Sequence, residues 1–280
     1  MQTNLFKDNI TTYLPGLISL IGDDKDFGWT KINSLFENLL ADRKNKATGD
    51  TITISTTLFD VIVLAQMKNL SATLLLDLYN SIFSDLSQRL SDKEKKLLQP
   101  TIKNILKSQD NRYTEFIGEL AVLNNLTITG LYQLHKVERR LPNGKSTDFC
   151  LILKSINEEI HVEVYNIHLD PDKVSNQTLE IEKFLINRIN KKIDDKSKNL
   201  LERDFFVIPI VHGRIESLMT YSHHFVKKKL GLKGVAEPLA FLTFTNPGGN
   251  YTHRFGKISG LLYSDEESVT DSNETYIDGV

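Results

Sequence analysis

Residues 146–165 read STDFCLILKSINEEIHVEVY, and this stretch decides the fold. It contains two apolar segments with a short polar turn between them, which is the pattern of a β-hairpin. Successive side chains of a strand point to opposite faces of a sheet, so His161, Glu163 and Tyr165 share one face of the second strand. Glu163 is therefore expected to lie apart from the buried aliphatic side chains of this strand.

Two acids of the hairpin are candidate metal ligands. Pairing of the strands is expected to place Glu163 near Cys150 or Leu151, with Asp148 a short distance away at the start of the first strand. Cys150 itself is expected to fill a small space in the core. Carboxylates suit Mg²⁺ and Mn²⁺, and a cation held by them can polarise a phosphoryl oxygen and acidify a bound water. The hairpin therefore predicts metal-dependent hydrolysis of phosphodiester bonds.

The first part of the chain has the pattern of a helical region. Residues 1–110 carry apolar side chains at helical spacing, and Ser91 followed by Glu94 has the spacing of a capping box. Pro100 is expected to kink or restart the helix that begins there. Residues 51–57 fit a strand or the loop and cap before the next helix equally well, and the sequence leaves this open.

The second part, residues 111–264, alternates between helical and strand patterns, and residues 265–280 form an acidic tail that is expected to be disordered. The alternation predicts an α/β core with a central mixed sheet flanked by helices. Helices are predicted near residues 116–126, 179–201 and 215–229, and strands beside the hairpin over residues 132–139, 205–211, 240–245 and 257–263.

The order of these elements and acids resembles the PD-(D/E)XK, or restriction-endonuclease-like, nuclease superfamily. That family has an acid on its first helix, an aspartate that opens the second strand and a Glu-x-Lys motif in the third. Glu119 in Ile-Gly-Glu-Leu-Ala, Asp148 in Thr-Asp-Phe and Glu163 in Val-Glu-Val-Tyr occupy those places here. The resemblance implies a restriction-endonuclease-like core in which these three acids bind Mg²⁺ or Mn²⁺. Glu115, one turn before Glu119, is the alternative helical ligand.

Tyr165 stands where that family has its lysine, so the strand lacks the cation expected to assist catalysis. Tyr165 is expected to pack in the core and not to act as an acid. Some family members carry the lysine on the helix after the third strand, and here that helix offers Lys196 as the catalytic lysine, with Lys192 as the second choice. Lys191, Lys192 and Lys198 of the same basic helix are the expected contacts to nucleic-acid phosphates.

The composition limits the setting in which such chemistry would occur. The chain has 280 residues and a formal net charge of -2, so it lacks the strong overall positive charge of many nucleic-acid-binding proteins. Its single cysteine cannot form an internal disulfide and no leader pattern opens the chain, which predicts a cytoplasmic protein. The apolar runs are far shorter than the roughly 20 residues that span a bilayer, so no membrane partner is expected.

Two functions follow from these patterns. The first is a divalent-metal-dependent nuclease, with DNA as the expected substrate because of the resemblance alone. The second is a catalytically inactive module of the same fold that binds nucleic acid or a protein partner, with the N-terminal helices as the protein-binding surface. A homodimer is compatible with both functions. A third interpretation is that the acids are unrelated surface residues of an α/β protein with another role.

Overall fold

A computed structural model of the chain describes residues 5–22, 27–46, 57–141, 144–168, 187, 191, 205–214, 239–245, 249 and 251–263. The chain divides into two compact units, Met1–Leu120 and Ala121–Val280. Helices form the described part of the first unit, and a β-sheet dominates that of the second.

Six helices and the start of a seventh form the described part of the first unit. They are α1 Leu5–Tyr13, α2 Pro15–Ile21, α3 Trp29–Lys46, α4 Leu58–Gln66, α5 Leu70–Arg89 and α6 Asp92–Lys107, and α7 Tyr113–Thr127 begins in this unit. The predicted helical character of the N-terminal region is therefore confirmed for the described residues. Here α6 continues through Pro100 to Lys107, so the helix does not restart at the proline.

Capping boxes begin two of these helices. The Glu94 N–H donates to Ser91 Oγ at 3.4 Å and the Ser91 N–H donates to Glu94 Oε2 at 2.9 Å, so the predicted cap of α6 is confirmed. Thr57 and Asp60 form the same reciprocal pair at the start of α4. Thr57 is thus a helix cap, which was one of the two alternatives for its segment, whereas residues 51–56 lie outside the described residues. Each cap satisfies backbone N–H groups that have no partner within the helix.

The α2 and α5 helices lie close together at Gly16. Its N–H donates to Asn80 Oδ1 at 2.7 Å. A Cβ at this position would lie 2.7 Å from both the Asn80 carbonyl oxygen and the Ser84 amide nitrogen, so any side chain would push the helices apart. This contact lets Leu17 of α2 and Phe83 of α5 become fully buried in the core of the unit. Burying side chains of this size stabilises the folded state by roughly 1.5–3 kcal/mol each.

The second unit contains a six-stranded mixed sheet in the order β1-β2-β3-β4-β5-β6. The first three strands form an antiparallel meander, β3, β4 and β5 run parallel, and β6 is antiparallel to β5. The strands are β1 Tyr132–Arg140, β2 Ser146–Leu153, β3 Glu158–His168, β4 Phe205–Arg214, β5 Leu239–Thr245 and β6 Tyr251–Lys257. The predicted α/β class, with a mixed sheet flanked by helices and preceded by N-terminal helices, is confirmed.

Parallel neighbours in a sheet need crossover connections, which here are residues 169–204 and 215–238. The predicted helices over residues 179–201 and 215–229 belong to these connections and lie outside the described residues, apart from two positions. Asn187 and Lys191 are described, and both are helical and exposed. Residues 265–280, the predicted tail, also lie outside the described residues.

The prediction for the last element was wrong. Residues 257–263 were expected to form a strand, but Lys257 ends β6 and Ile258–Tyr263 forms a short helix, α8. Ile258 is fully buried, and the next apolar residue, Leu261, follows at helical spacing. The β6 strand was missed because it lies at the edge of the sheet, where its largely polar residues remain exposed or half-buried and give no apolar alternation. None of the helices in the described ranges is long and apolar enough to cross a membrane.

Candidate metal centre

A tight turn joins β2 and β3 into the predicted hairpin. The turn comprises residues 154–157, and its Asn157 N–H donates to the Leu153 carbonyl oxygen at 2.8 Å. Asn157 has a φ of 56°, in the left-handed region that asparagine adopts more readily than most residues. This turn sets the register of the two strands that carry the candidate ligands.

The observed register differs from the predicted one by two or three residues, since Glu163 was expected opposite Cys150 or Leu151. Cys150 pairs with His161 and not with Glu163, and Leu151 pairs with Ile160. The prediction was wrong because it assigned the charged residues 158–159 to the turn, whereas they begin β3. In the observed register Asp148 lies opposite Glu163, so the two acids of the hairpin are closer together than the sequence suggested.

The carboxylate of Asp148 is anchored in the sheet. Its Oδ2 accepts a hydrogen bond from the Val164 N–H at 2.7 Å. Asp148 is half-buried, and Val164 is only 5% exposed. A hydrogen bond from an amide to a charged carboxylate in such a setting is stronger than one between neutral groups. The bond therefore holds Asp148 next to the residue that follows Glu163.

Glu163 is buried, with 2% of its surface exposed, and the expectation that it lies apart from the buried side chains was wrong. The β3 strand lies inside the sheet between β2 and β4, and Glu163 pairs with Val207 of β4. A central strand can be covered on both faces, so alternation of aliphatic and polar residues does not separate buried from exposed positions there. A buried carboxylate needs compensating polar or cationic partners, so the surroundings of Glu163 matter for its role.

The other residues of the predicted motif occupy different settings. Glu119 is half-buried on α7 in the first unit, and Glu115 lies one turn earlier on the same helix. Asp148 and Glu163 belong to the second unit, so the part of Glu119 in a shared site stays a prediction. Tyr165 is half-buried and pairs with Pro209 of β4, so its expected packing role stays a prediction.

Of the four lysines that the sequence singled out, only Lys191 lies among the described residues. It is helical and exposed, a setting that suits a contact to a phosphate. Lys192, Lys196 and Lys198 lie outside the described residues, and their roles stay predictions.

Sequence reasoning missed a second group of metal-binding side chains on the same hairpin. The ligand atoms of Cys150, Glu159 and His161 all lie within 4.8 Å of one another. Cys150 is fully buried, as expected for a core residue, and the other two are half-buried. The signal in the sequence is the Glu-x-His spacing of residues 159 and 161, which puts both side chains on one face of β3. Its link to Cys150 depends on the register, which the sequence did not give.

The surroundings of this group are partly basic. Glu159 Oε1 lies 3.4 Å from His135 Nε2, and Glu159 Oε2 lies 3.4 Å from Arg139 Nη2. Burial raises the pKa of the Cys150 thiol to about 11, and the negative charge of Glu159 adds to this effect. Without a bound cation the thiol is therefore protonated at neutral pH.

A third polar group lies at the carboxyl ends of the parallel strands, on the face of the sheet opposite Glu163. The His212 ring stacks on His168 at a centroid distance of 4.6 Å and on Phe241 at 5.3 Å. His212 Nε2 lies 2.8 Å from Asn166 Oδ1. Burial, followed by the nearby His168, lowers the pKa of His212 to about 3, so its ring is neutral at pH 7. His212 is therefore a neutral ring in an aromatic stack and does not carry the second ring proton at physiological pH.

Comparison with known proteins adds one weak similarity. No protein-family model and no curated protein matches the chain. Among solved structures, the chain is similar to SfsA of Pyrococcus furiosus in a complex with Ca²⁺, with a TM-score of 0.26 and 17% sequence identity. The match covers 52% of this chain and 63% of that chain. At this TM-score the similarity supports no conclusion about the function of this chain.

Proposed function

We propose that this chain is a divalent-metal-dependent nuclease that hydrolyses phosphodiester bonds, with DNA as the expected substrate. The observation that carries the proposal is the placement of Asp148 and Glu163 on neighbouring strands. The Asp148 carboxylate accepts a hydrogen bond from the Val164 N–H, the amide next in sequence to Glu163. Two carboxylates in this arrangement offer the oxygen ligands that Mg²⁺ and Mn²⁺ require.

The donor chemistry and the burial of these residues fit such a cation. Asp148 accepts the sheet bond at Oδ2, and a carboxylate offers two oxygens with about four lone-pair sites, so the group can bind a cation in addition to this bond. Glu163 is 2% exposed, so its charge is shielded from water and attracts a cation more strongly than a surface carboxylate would. When bound, the cation would polarise a phosphoryl oxygen and make a water molecule more acidic. Glu119 is the proposed third ligand, with Glu115 as its alternative.

Other residues of the chain would position the substrate. We assign phosphate contacts to Lys191, which is exposed on its helix, and to Lys192 and Lys198 near it in sequence. Lys196 is the proposed substitute for the lysine that Tyr165 replaces, and Lys192 is the second choice. In this scheme Lys196 stabilises the charge that develops on the phosphoryl group.

The alternative function is a catalytically inactive module that binds nucleic acid or a protein partner. Two observations on the hairpin favour it. Tyr165 leaves β3 without a cation at the motif position, and the Asp148 carboxylate already has a structural hydrogen bond. An acid retained for the stability of the sheet would need no metal.

Cleavage of supercoiled plasmid distinguishes the two functions. The parent protein is incubated with plasmid in Mg²⁺, in Mn²⁺ and in EDTA, beside Asp148→Asn, Glu163→Gln and the matched control Glu158→Gln. Glu158 is exposed at the start of the same strand, so its variant tests for unspecific effects. The nuclease predicts metal-dependent nicking that is lost in the first two variants and kept in the control. Plasmid that stays intact under all conditions, with metal-independent binding, would favour the inactive module.

A further inference from the structure

We propose that Cys150, Glu159 and His161 form a second cation site, which binds a thiolate-preferring divalent metal such as Zn²⁺. The three ligand atoms lie within 4.8 Å of one another on one face of the β2–β3 hairpin. This site is distinct from the proposed site of Asp148 and Glu163, because residues two positions apart on a strand are separated by roughly 6.5–7 Å.

The backbone determines the arrangement of the three side chains. Cys150 and His161 are a directly opposed pair, and Glu159 opposes Ile152 at the next position on the same face. Opposed side chains of antiparallel strands have Cβ atoms roughly 4.5–5.5 Å apart, which is close enough for one ion to reach both. Ligand atoms around a tetrahedral Zn²⁺ are about 3.3–3.8 Å apart, given metal–ligand bonds of roughly 2.0–2.3 Å. The distances between the three ligand atoms need to shorten by about 1 Å for a tetrahedral site. Rotation of the half-buried Glu159 side chain can provide this change.

The ligand types select the class of metal. A cysteine sulfur and a histidine nitrogen suit Zn²⁺ and similar ions and are poor ligands for Mg²⁺. Binding of the metal displaces the proton of the Cys150 thiol to the solvent. The resulting thiolate and the Glu159 carboxylate together carry two negative charges, which neutralise the charge of a divalent ion. Three protein ligands leave the fourth tetrahedral position for a water or another side chain. His135 is one candidate for that position, since its Nε2 lies 3.4 Å from Glu159 Oε1.

The present contacts of Glu159 are weak enough to be exchanged for a metal. Its distances to His135 and Arg139 are both 3.4 Å, and the three side chains are 35–41% exposed. Ion pairs of this exposure contribute little to stability, about 0–1 kcal/mol. A metal bound to one carboxylate oxygen would leave the other able to accept from Arg139.

Cobalt titration of the full chain tests this site. Chelator-treated protein is titrated with Co²⁺, and the thiolate-to-cobalt charge-transfer absorption is recorded. The proposal predicts a band that saturates at one Co²⁺ per chain, is abolished by Zn²⁺ and resists excess Mg²⁺. Cys150→Ser is expected to lack the band, and Glu159→Gln to weaken binding by at least about tenfold, since second-shell changes alone cost 10–100-fold. Absence of the band in the parent, or its persistence in Cys150→Ser, would overturn the proposal.

Two controls separate this result from folding defects and from the proposed nuclease site. Glu159→Gln changes a half-buried residue and tests the site even if Cys150→Ser does not fold, and its neighbour Glu158→Gln is the matched control that should bind as the parent does. Equal Co²⁺ affinity in Glu159→Gln and Glu158→Gln would also contradict the site. Asp148→Asn is expected to keep the cobalt band while it loses plasmid cleavage, so either proposal can fail without the other.

Discussion

Replacement of Asp148 by alanine is expected to destabilise the sheet as well as to remove a proposed metal ligand. Asp148 Oδ2 accepts a bond from the Val164 N–H at 2.7 Å, and Val164 is 5% exposed, so alanine leaves a donor that water hardly reaches. An unsatisfied buried donor lowers the free energy of unfolding by about 1–3 kcal/mol. Asparagine can still accept this bond and loses only the charge, so Asp148→Asn is expected to lower it by about 1 kcal/mol.

Urea unfolding followed by circular dichroism measures this difference. With a urea dependence of about 2–3 kcal/mol per molar, a loss of about 2 kcal/mol moves the midpoint by about 0.7–1 M. The matched control is Glu158→Ala, which removes an exposed acid from the same hairpin and is expected to change stability by less than about 0.5 kcal/mol. If Asp148→Ala unfolds at the same urea concentration as the parent and this control, the bond to Val164 contributes nothing and the reasoning is refuted.

Three further predictions concern the helical unit. Gly16→Ala should lower the free energy of unfolding by about 1–3 kcal/mol, because the new Cβ would lie 2.7 Å from the backbone of α5. In the same urea experiment, the control Ser19→Ala on the exposed side of α2 should change it by less than about 0.5 kcal/mol. Thr57→Ala should lower the free energy of unfolding by about 0.5–2 kcal/mol, because the capping box of α4 is lost. The change is measured as a lower melting temperature, and an unchanged melting temperature would contradict this role. Burial raises the pKa of Tyr113 to about 12 from an ordinary value of 10.0. Above about pH 10 the tyrosine therefore ionises in the unfolded state before it does so in the folded state. The free energy of unfolding should fall by about 1.4 kcal/mol per pH unit until about pH 12. Tyr113→Phe should flatten this decline in unfolding experiments between pH 9 and 12, and an equal slope in both proteins would refute the assignment.

The sequence predicted the order of elements because that order depends on local patterns. Apolar periodicity identified the hairpin and the buried strand β4, and the Ser91–Glu94 spacing identified a helix start. Each of these signals lies within a few residues of the chain. The edge strand β6 lacked such a signal, since its residues are largely polar, and its place in the sheet comes from pairing with β5.

The details of the candidate sites depend on contacts that local patterns do not contain. Glu163 is buried because β4 pairs with β3 from a distant part of the sequence, so its alternation with aliphatic residues was misleading. The observed register, two or three residues away from the predicted one, pairs Cys150 with His161 and puts Asp148 beside Glu163. The hydrogen bond from the Val164 N–H to Asp148 had no signal in the sequence. This bond gives Asp148 a role in the stability of the sheet, whether or not it also binds a metal.

Manganese binding tests the shared site of Asp148 and Glu163 most directly. The electron paramagnetic resonance signal of free Mn²⁺ is followed as the ion is added to the parent, Asp148→Asn, Glu163→Gln and Cys150→Ser proteins, each shown by circular dichroism to be folded. We expect the parent to bind Mn²⁺ and each carboxylate variant to bind it at least about tenfold more weakly, because changes to residues outside the ligand shell alone cost 10–100-fold in affinity. The affinity of Cys150→Ser for Mn²⁺ should equal that of the parent. Equal affinity in the parent and both carboxylate variants, or no binding by the parent, would contradict the account.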